Sequence, residues 1–203
     1  SFNGKSTITY LPFFFSTSIF QIDDINTKLL KSININKILN FRNFIQKLNI
    51  KNVISFKSKN FSRNLIDDLN LNINLSYGRL TFSKKIYISE DFLSCDGDVN
   101  LLKEYPILHF DCSIVSNNKK NFLKKFSVKN KDKNQLIELN VMGYINVLNN
   151  KINFKKITMN EDYKASKEDL NYYKQSFESI LFNKDFIEIF NLDNIKDFIL
   201  EIS

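Results

Sequence analysis

The sequence is short of the residues that most catalytic and metal sites use. Its 203 residues include no Trp, one His, two Cys, two Pro and four Gly. A single His excludes most triad and metal-centred mechanisms, and two Cys with 16 residues between them make no zinc-binding pattern. The sequence therefore predicts a non-enzymatic protein without a metal or a cofactor.

Long apolar runs are also missing. The longest, Tyr10 to Phe15, is far shorter than the roughly 18 residues of a membrane-spanning helix. Because the first residue is Ser rather than Met, we expect a piece of a longer or processed protein, with any targeting signal or membrane anchor lying before Ser1.

Arginine is scarce as well, since only Arg42, Arg63 and Arg79 are arginine among the 29 basic residues. Nucleic-acid surfaces favour the guanidinium group for phosphate and base contacts, so we expect no nucleic-acid partner despite the net charge of +7. The densest basic stretch could form a rim that docks an anionic partner or be an ordinary solvated loop. It comprises Lys119, Lys120, Lys124, Lys125, Lys129, Lys131 and Lys133.

Four residue types dominate what is present. Asn, Lys, Ile and Phe account for 101 residues, and their A- and T-rich codons point to a biased genome. A hydrophobic content of 43% is nevertheless that of a folded domain. The placement of these residues is therefore more informative than their number.

Residues 69–77 alternate strictly, with Leu69, Leu71, Ile73 and Leu75 on one parity and polar residues on the other. This period of two predicts a half-buried strand. Similar alternation predicts strands over 80–88, 106–114, 137–147 and 152–154, which with 69–77 form an antiparallel meander without parallel βαβ order. Two further strands are expected upstream, over 7–22 and 53–61. We expect a turn or bulge at residues 83–85, a hairpin turn at Asp96-Gly97 and a turn at Asn149-Asn150.

Helical spacing occurs at 38–48 and again from Ser166, where Asp169 three residues later indicates a capping box. Two shorter helices are expected from Lys184 and Asp193. The predicted fold class is α+β, mainly β: a curved antiparallel sheet with one helix in the N-terminal part and a helical C-terminal tail. We treat 1–203 as a single-domain fragment, divided into 1–62 (strands and helix), 63–160 (meander) and 161–203 (tail).

Three small groups of residues carry possible chemistry. Asp96, Asp98 and their acidic neighbours Glu90 and Asp91 could ligate calcium, but the hairpin turn is the preferred interpretation. His109 and Asp111 share one face of a strand and are interpreted as a structural pair. Cys95 and Cys112 fall on adjacent strands, where they could pair in an oxidising compartment or remain buried thiols.

Several segments together resemble the C-terminal part of AsmA-like proteins. They are Gly78-Arg79-Leu80-Thr81-Phe82, Cys95-Asp96-Gly97-Asp98-Val99-Asn100-Leu101, Pro106 to Cys112, Gly143-Tyr144-Ile145-Asn146-Val147 and Lys151-Ile152-Asn153-Phe154. The resemblance covers about two thirds of the chain.

This resemblance implies a periplasmic protein held in the bacterial inner membrane by an N-terminal helix, here missing. It implies a curved sheet whose apolar face holds lipid acyl chains, and a role in outer-membrane biogenesis or phospholipid transport. Alternatively, the same residues form a closed core and the chain is a protein-binding or scaffold domain. The residues expected to line the lipid groove are Leu71, Ile73, Leu75, Phe110, Ile114, Leu139, Val141 and Ile145.

Overall fold

A computed structural model describes residues 2–10, 14–22, 39–58, 66–125, 135–181, 194 and 197. Within them, ten strands form one sheet in which every strand lies beside its neighbours in sequence. The strands are β1 (Phe2–Thr9), β2 (Phe14–Ile22), β3 (Leu48–Lys57), β4 (Asp68–Ser76), β5 (Arg79–Ile88), β6 (Asp91–Asn100), β7 (Ile107–Ser116), β8 (Ile137–Asn146), β9 (Lys151–Met159) and β10 (Tyr163–Lys164).

The sheet is curved and unclosed, and the predicted fold class is confirmed. All neighbouring strands are antiparallel except β2 and β3, which run parallel. The predicted antiparallel meander is confirmed from β4 to β9, and the parallel junction lies upstream of it. The expected single strand over 7–22 is wrong, because the chain there forms the antiparallel pair β1 and β2.

In the described ranges, three helices of four or more residues accompany the sheet: α1 (Arg42–Ile45), α2 (Lys119–Lys125) and α3 (Lys167–Leu181). Within the predicted helix over 38–48, Leu39 and α1 are helical, and the helix ends before Leu48 because that residue begins β3 and its backbone is committed to the sheet. Residues 194 and 197 are helical, and the rest of the two expected C-terminal helices lies outside the described residues.

Two predicted turns are instead parts of strands. Asp96-Gly97 lies within β6, and residues 83–85 lie within β5, which pairs with β6 without interruption. Residues 83 and 85 face one side of the sheet and Lys84 the other, so this polar triplet continues the period of two. The connections fall instead at Tyr77-Gly78, Ser89-Glu90 and, as predicted, Asn149-Asn150. Tyr77, Gly78, Ser89 and Asn150 all adopt positive φ.

The capping box at the start of α3 is confirmed. The backbone N–H of Asp169 donates to Ser166 Oγ over 3.1 Å, and the N–H of Ser166 donates to Asp169 Oδ2 over 2.8 Å. The hydrogen bond from the Ser166 backbone, assisted by the Ser166 side chain, lowers the pKa of Asp169. Tyr163 of β10 also donates to Asp169, which ties the helix to the last strand.

We expect Ser166→Ala to lower the free energy of unfolding by about 1 kcal/mol, because the helix loses its N-cap acceptor. Thermal denaturation at neutral pH measures the change. The matched control is Ser179→Ala near the other end of α3.

The stabilising effect of the cap should also depend on pH. Because the pKa of Asp169 is lower in the folded than in the unfolded chain, the stability that its carboxylate contributes is present above the unfolded pKa and is lost as the pH falls through the folded pKa. The difference between wild type and S166A should therefore shrink in acid; equal loss from both variants would contradict the cap.

Candidate functional site

Seven consecutive strands, β3 to β9, place apolar side chains on one side of the sheet, which we call the apolar face. Paired residues of neighbouring strands point to the same side, so the register from Leu71 and Ile73 of β4 traces this face across the sheet. Its further members are Ile50, Ile54, Phe56, Leu69, Leu75, Leu80, Phe82, Ile86, Ile88, Leu93, Val99, Leu108, Phe110, Ile114, Ile137, Leu139, Val141, Ile145, Ile152, Phe154, Ile157 and Met159.

The opposite side, which we call the polar face, consists mainly of Asn, Ser, Thr, Lys and Asp. In β4 it carries Asn70, Asn72 and Asn74. Five apolar residues of β3 to β9 are nevertheless exposed there: Val53, Tyr87, Ile107, Val115 and Met142. Tyr87 and Val115 flank Phe92 in register, and the others are scattered, as is ordinary on protein surfaces. The two faces therefore differ in chemistry across the whole meander.

On β2 the same side of the sheet mixes apolar and small polar side chains. Phe14, Phe20 and Ile22 pair with Leu48, Ile54 and Phe56 of β3, whereas Ser16 and Ser18 lie between them. The hydroxyls of Ser6 and Ser18 lie 2.8 Å apart. The apolar face therefore continues onto β2 and is interrupted there by a pair of hydroxyl groups.

All eight predicted groove residues lie on the apolar face, but their surroundings differ. Ile145 is buried in a core cluster, Phe110 packs against that cluster, and Ile114 packs against α2. The other five are half-buried: Leu71, Ile73, Leu75, Leu139 and Val141. The structure brings the predicted residues together, and their role in binding lipid stays a prediction.

Two helices cover parts of the apolar face. Phe122 and Leu123 of α2 are buried against Leu93 and Ile114. Helix α3 packs along β9, where the rings of Phe177 and Phe154 meet edge to face with centroids 5.8 Å apart. The core cluster beside α3 contains Val99, Leu108, Ile145, Val147 and Ile152. Apolar side chains of this face are therefore buried toward β9, near α2 and at the ends of β3 to β5, where Leu48, Phe56, Leu69 and Ile88 are buried as well.

A row of alternating Phe and Gly crosses the apolar face from β5 to β9: Phe82, Gly97, Phe110, Gly143 and Phe154. A Cβ on Gly97 would lie 2.5 Å from the Phe82 ring, and one on Gly143 would lie 2.7 Å from Phe110 Cζ. Each ring thus lies over the glycine of the next strand and shields its backbone. This packing explains why Gly97 sits in a strand rather than in the expected turn.

The next row contains the two cysteines. Cys95 and Cys112 are directly paired across β6 and β7 and form a disulfide, which resolves the two alternatives that the sequence left open. Lys84 of β5 is the cross-strand neighbour of Cys95, and burial lowers the pKa of its ammonium group. The row therefore combines a covalent link with a desolvated lysine inside an apolar surface.

The polar face does not assemble the chemistry considered from sequence. His109 and Asp111 are exposed on β7, and the His109 ring lies beside Tyr144 with centroids 6.1 Å apart. Asp98 accepts a hydrogen bond from Arg79 over 3.1 Å. Among the described residues, no cluster of three His, Cys, Asp or Glu side chains could hold a metal ion.

The described part of the basic stretch forms α2. The ammonium group of Lys125 donates to the carbonyl of Ile88 over 2.9 Å and lies 4.0 Å from the buried carboxylate of Asp91. This lysine of α2 therefore holds the helix against the sheet. Beside it is an open polar cavity of about 520 Å³, lined by Ser89, Glu90, Asp91, Asn117, Asn118, Asn121, Lys124 and Lys125. Lys129, Lys131 and Lys133 lie outside the described residues.

Sequence reasoning missed several members of the apolar face. Ile54, Phe82, Ile86 and Leu93 share the environment of the predicted residues, and the same period of two marks each of them. The hairpin turn expected at 96–97 hides Leu93, because it leaves β6 unpredicted as a strand, whereas Phe82 lies in a predicted strand but is not among the predicted groove residues.

The fold and the apolar face define a class: an open, mostly antiparallel sheet with one apolar and one polar face. No protein-family model, curated protein or solved structure matches the chain. In the described parts of the chain, no helix has the length and hydropathy to cross a bilayer.

We expect Gly97→Ala to destabilise the protein by about 1–3 kcal/mol, because the added methyl group collides with the Phe82 ring. Chemical denaturation measures the loss. Adding Phe82→Leu should recover part of it, since the smaller side chain makes room for the methyl group. Strictly additive losses in the double variant would show that the ring and the glycine do not interact.

We expect Lys84→Met to stabilise the protein at neutral pH, because an apolar side chain replaces an ammonium group whose charged form is disfavoured by burial. The lowered folded pKa means that the unfolded chain binds more protons between that pKa and 10.5, so wild-type stability rises with pH across this window. The advantage of K84M should accordingly shrink as the pH approaches 10.5. Lys85→Met on the polar face is the control; equal effects at both positions would contradict the prediction.

Proposed function

We propose that this chain is a non-enzymatic, lipid-handling segment of an AsmA-like envelope protein, and that its apolar face binds acyl chains. The observation that carries the proposal is the apolar face itself: seven neighbouring strands present apolar side chains to one side, on a sheet that does not close. The resemblance of the β5 to β9 segments to AsmA-like proteins agrees with this assignment.

The dimensions of the apolar face suit lipid chains. Strands of nine or ten residues are about 30 Å long, and seven strands span about 30 Å across the sheet. One leaflet of a bilayer has a hydrocarbon depth of about 15 Å. The face is therefore large enough for more than one acyl chain.

The degree of burial also favours binding by the β4 side of the face. Leu71, Ile73 and Leu75 are half-buried, whereas Val99, Ile145 and Ile152 beside α3 are buried. Half-buried apolar residues in adjacent strands gain free energy, about 25 cal/mol per Å², when a ligand removes them from water. We assign the acyl-chain site to the half-buried region around β4.

The proposed location is the periplasmic side of the bacterial inner membrane. The Cys95–Cys112 disulfide supports it, because disulfides persist in oxidising compartments such as the periplasm. Outer-membrane biogenesis or phospholipid transport is the role that accompanies this location in the AsmA-like resemblance.

Native mass spectrometry of detergent-free protein, followed by lipid extraction, tests the proposal. We expect lipid to co-purify with wild type and to fall at least about tenfold in Ile73→Glu, because a tenfold loss requires only about 1.4 kcal/mol and a carboxylate among acyl chains costs more.

The matched control is Asn72→Glu, which introduces the same charge one residue away on the polar face. It should retain wild-type lipid. Thermal denaturation of both variants separates loss of binding from loss of folding. Absence of lipid from the wild-type protein, or equal loss in both folded variants, would contradict the proposal.

A further inference from the structure

The ends of neighbouring strands lie together on one side of the sheet, across the strand direction, and we call this side the lower end. Strands β1 to β9 have eight to ten residues each and pair along nearly their whole lengths. The register places the start of β3 beside the end of β4, the end of β6 beside the start of β5, and the end of β8 beside the start of β7. The lower end therefore contains Tyr10, α1, the turn at 77–78 and the connections 101–106 and 147–150.

Exposed aromatic side chains are concentrated at the lower end. Five of them, which we call the aromatic rim, are more than half exposed: Tyr10 at 70%, Phe41 at 63%, Phe44 at 59%, Tyr77 at 51% and Tyr105 at 63%. Leu102 and Leu148 add exposed aliphatic groups to the same connections. Large apolar side chains that are exposed together at one end of the strands indicate a surface that binds a partner.

The opposite, upper end is different. Its described connections include Ser89-Glu90, Asn117-Asn118 and residues 160–162, all polar. Among the described residues of these upper connections, Leu136 is the one exposed large apolar side chain. Near the upper end, Tyr87 is 41% exposed and its ring packs against Phe92 of the neighbouring strand. In the described parts of the chain, the five aromatic side chains that are more than half exposed therefore all lie at the lower end.

Local packing holds part of the aromatic rim in place. Helix α1 buries Ile45 and leaves Phe41 and Phe44 exposed, so the outward rings cannot turn inward without unpacking Ile45. Arg42 Nη2 lies 3.4 Å from the carbonyl oxygen of Glu104, which brings α1 close to the connection that carries Tyr105. Phe41, Phe44 and Tyr105 therefore lie in one neighbourhood.

Basic residues accompany the aromatic rim. The described residues in and next to the lower end include five basic side chains, Arg42, Lys47, Arg79, Lys103 and Lys151, and three acidic ones, Asp98, Glu104 and Glu178. Arg79 and Lys151 also contact the carboxylates of Asp98 and Glu178, which lie on neighbouring elements. The net positive charge of the lower end favours an anionic partner.

We infer that the lower end docks onto an anionic lipid bilayer, with the aromatic rim inserted at the level of the headgroups. Aromatic side chains prefer the membrane interface, and nearby Lys and Arg are attracted to anionic lipid. A protein partner fits less well, because Lys is depleted at protein interfaces while Lys47 and Lys103 are interspersed with the rim. Docking of this edge stands on different residues from acyl-chain binding and does not require it.

The absence of Trp from the sequence gives a direct test. Tyr105→Trp places a single Trp in the rim, and Leu136→Trp places one at the upper end, where the native side chain is also exposed. With vesicles of equal parts phosphatidylglycerol and phosphatidylcholine, we expect the Trp fluorescence of Y105W to shift to shorter wavelength and to be quenched by brominated lipid. The fluorescence of L136W should not change. An unchanged spectrum for Y105W, or equal changes in both variants, would overturn the inference.

Vesicle flotation measures the contribution of the rim. We expect Phe41→Ser with Phe44→Ser to weaken partitioning at least about tenfold, and Leu136→Ser to leave it unchanged. Both Phe side chains are exposed, so thermal denaturation should show a folded double variant. Binding that persists in the folded double variant would overturn the inference.

Two further measurements distinguish membrane docking from self-association and from acyl-chain binding. Self-association that the double variant abolishes, without vesicle binding by wild type, would assign the rim to a second copy of the chain and overturn membrane docking. The Ile73→Glu variant should still dock on vesicles although it loses co-purifying lipid, so failure of one proposal is distinguishable from failure of the other. Loss of vesicle binding in folded I73E would contradict the inference that the lower end docks on the bilayer independently of acyl-chain binding.

Discussion

The structure depends on one constraint, the alternation of apolar and polar side chains that neighbouring strands match from β3 to β9, with one bulge in β9 opposite Met142 and Gly143. Each strand must present its apolar set to the same side as its neighbours, because a shift of one residue would move Leu71 and Ile73 into water and Asn72 onto the apolar face. Seven strands satisfy this condition together. The contrast between the two faces, the packing sites of α2 and α3 and the proposed acyl-chain site all follow from it.

Within the apolar face, large and small side chains alternate along one row that crosses the strands. The Phe82, Gly97, Phe110, Gly143 and Phe154 row sets large rings beside bare backbone, so the rings can lie across neighbouring strands. The one irregularity in the register of β8 and β9 falls between Met142 and Gly143, at the same row. Bulges of this kind increase local bending, which agrees with the curvature of the sheet.

The predictable part of the fold is the part whose signal is local. Strict alternation in residues 69–77 predicted β4, and Ser166 with Asp169 predicted the start of α3. The signals that failed depend on distant residues: Gly97 resembles a turn residue until Phe82 is known to lie over it, and α1 stops because Leu48 pairs with β2 and is buried. Of the candidate site, the eight predicted residues share one face, but which of them helices cover depends on tertiary packing.

The parallel junction between β2 and β3 has a consequence for folding. The antiparallel pairs from β3 to β6 are joined by connections of ten residues (58–67) and of two residues (77–78 and 89–90), so each loop closes at a lower entropic cost than a longer one. Strand β2, by contrast, meets β3 only after the 25 residues of 23–47 have been spanned. Contacts between residues far apart in sequence form slowly. The β1–β2 hairpin should therefore join the sheet as a preformed unit, after the hairpins between β3 and β6 have assembled.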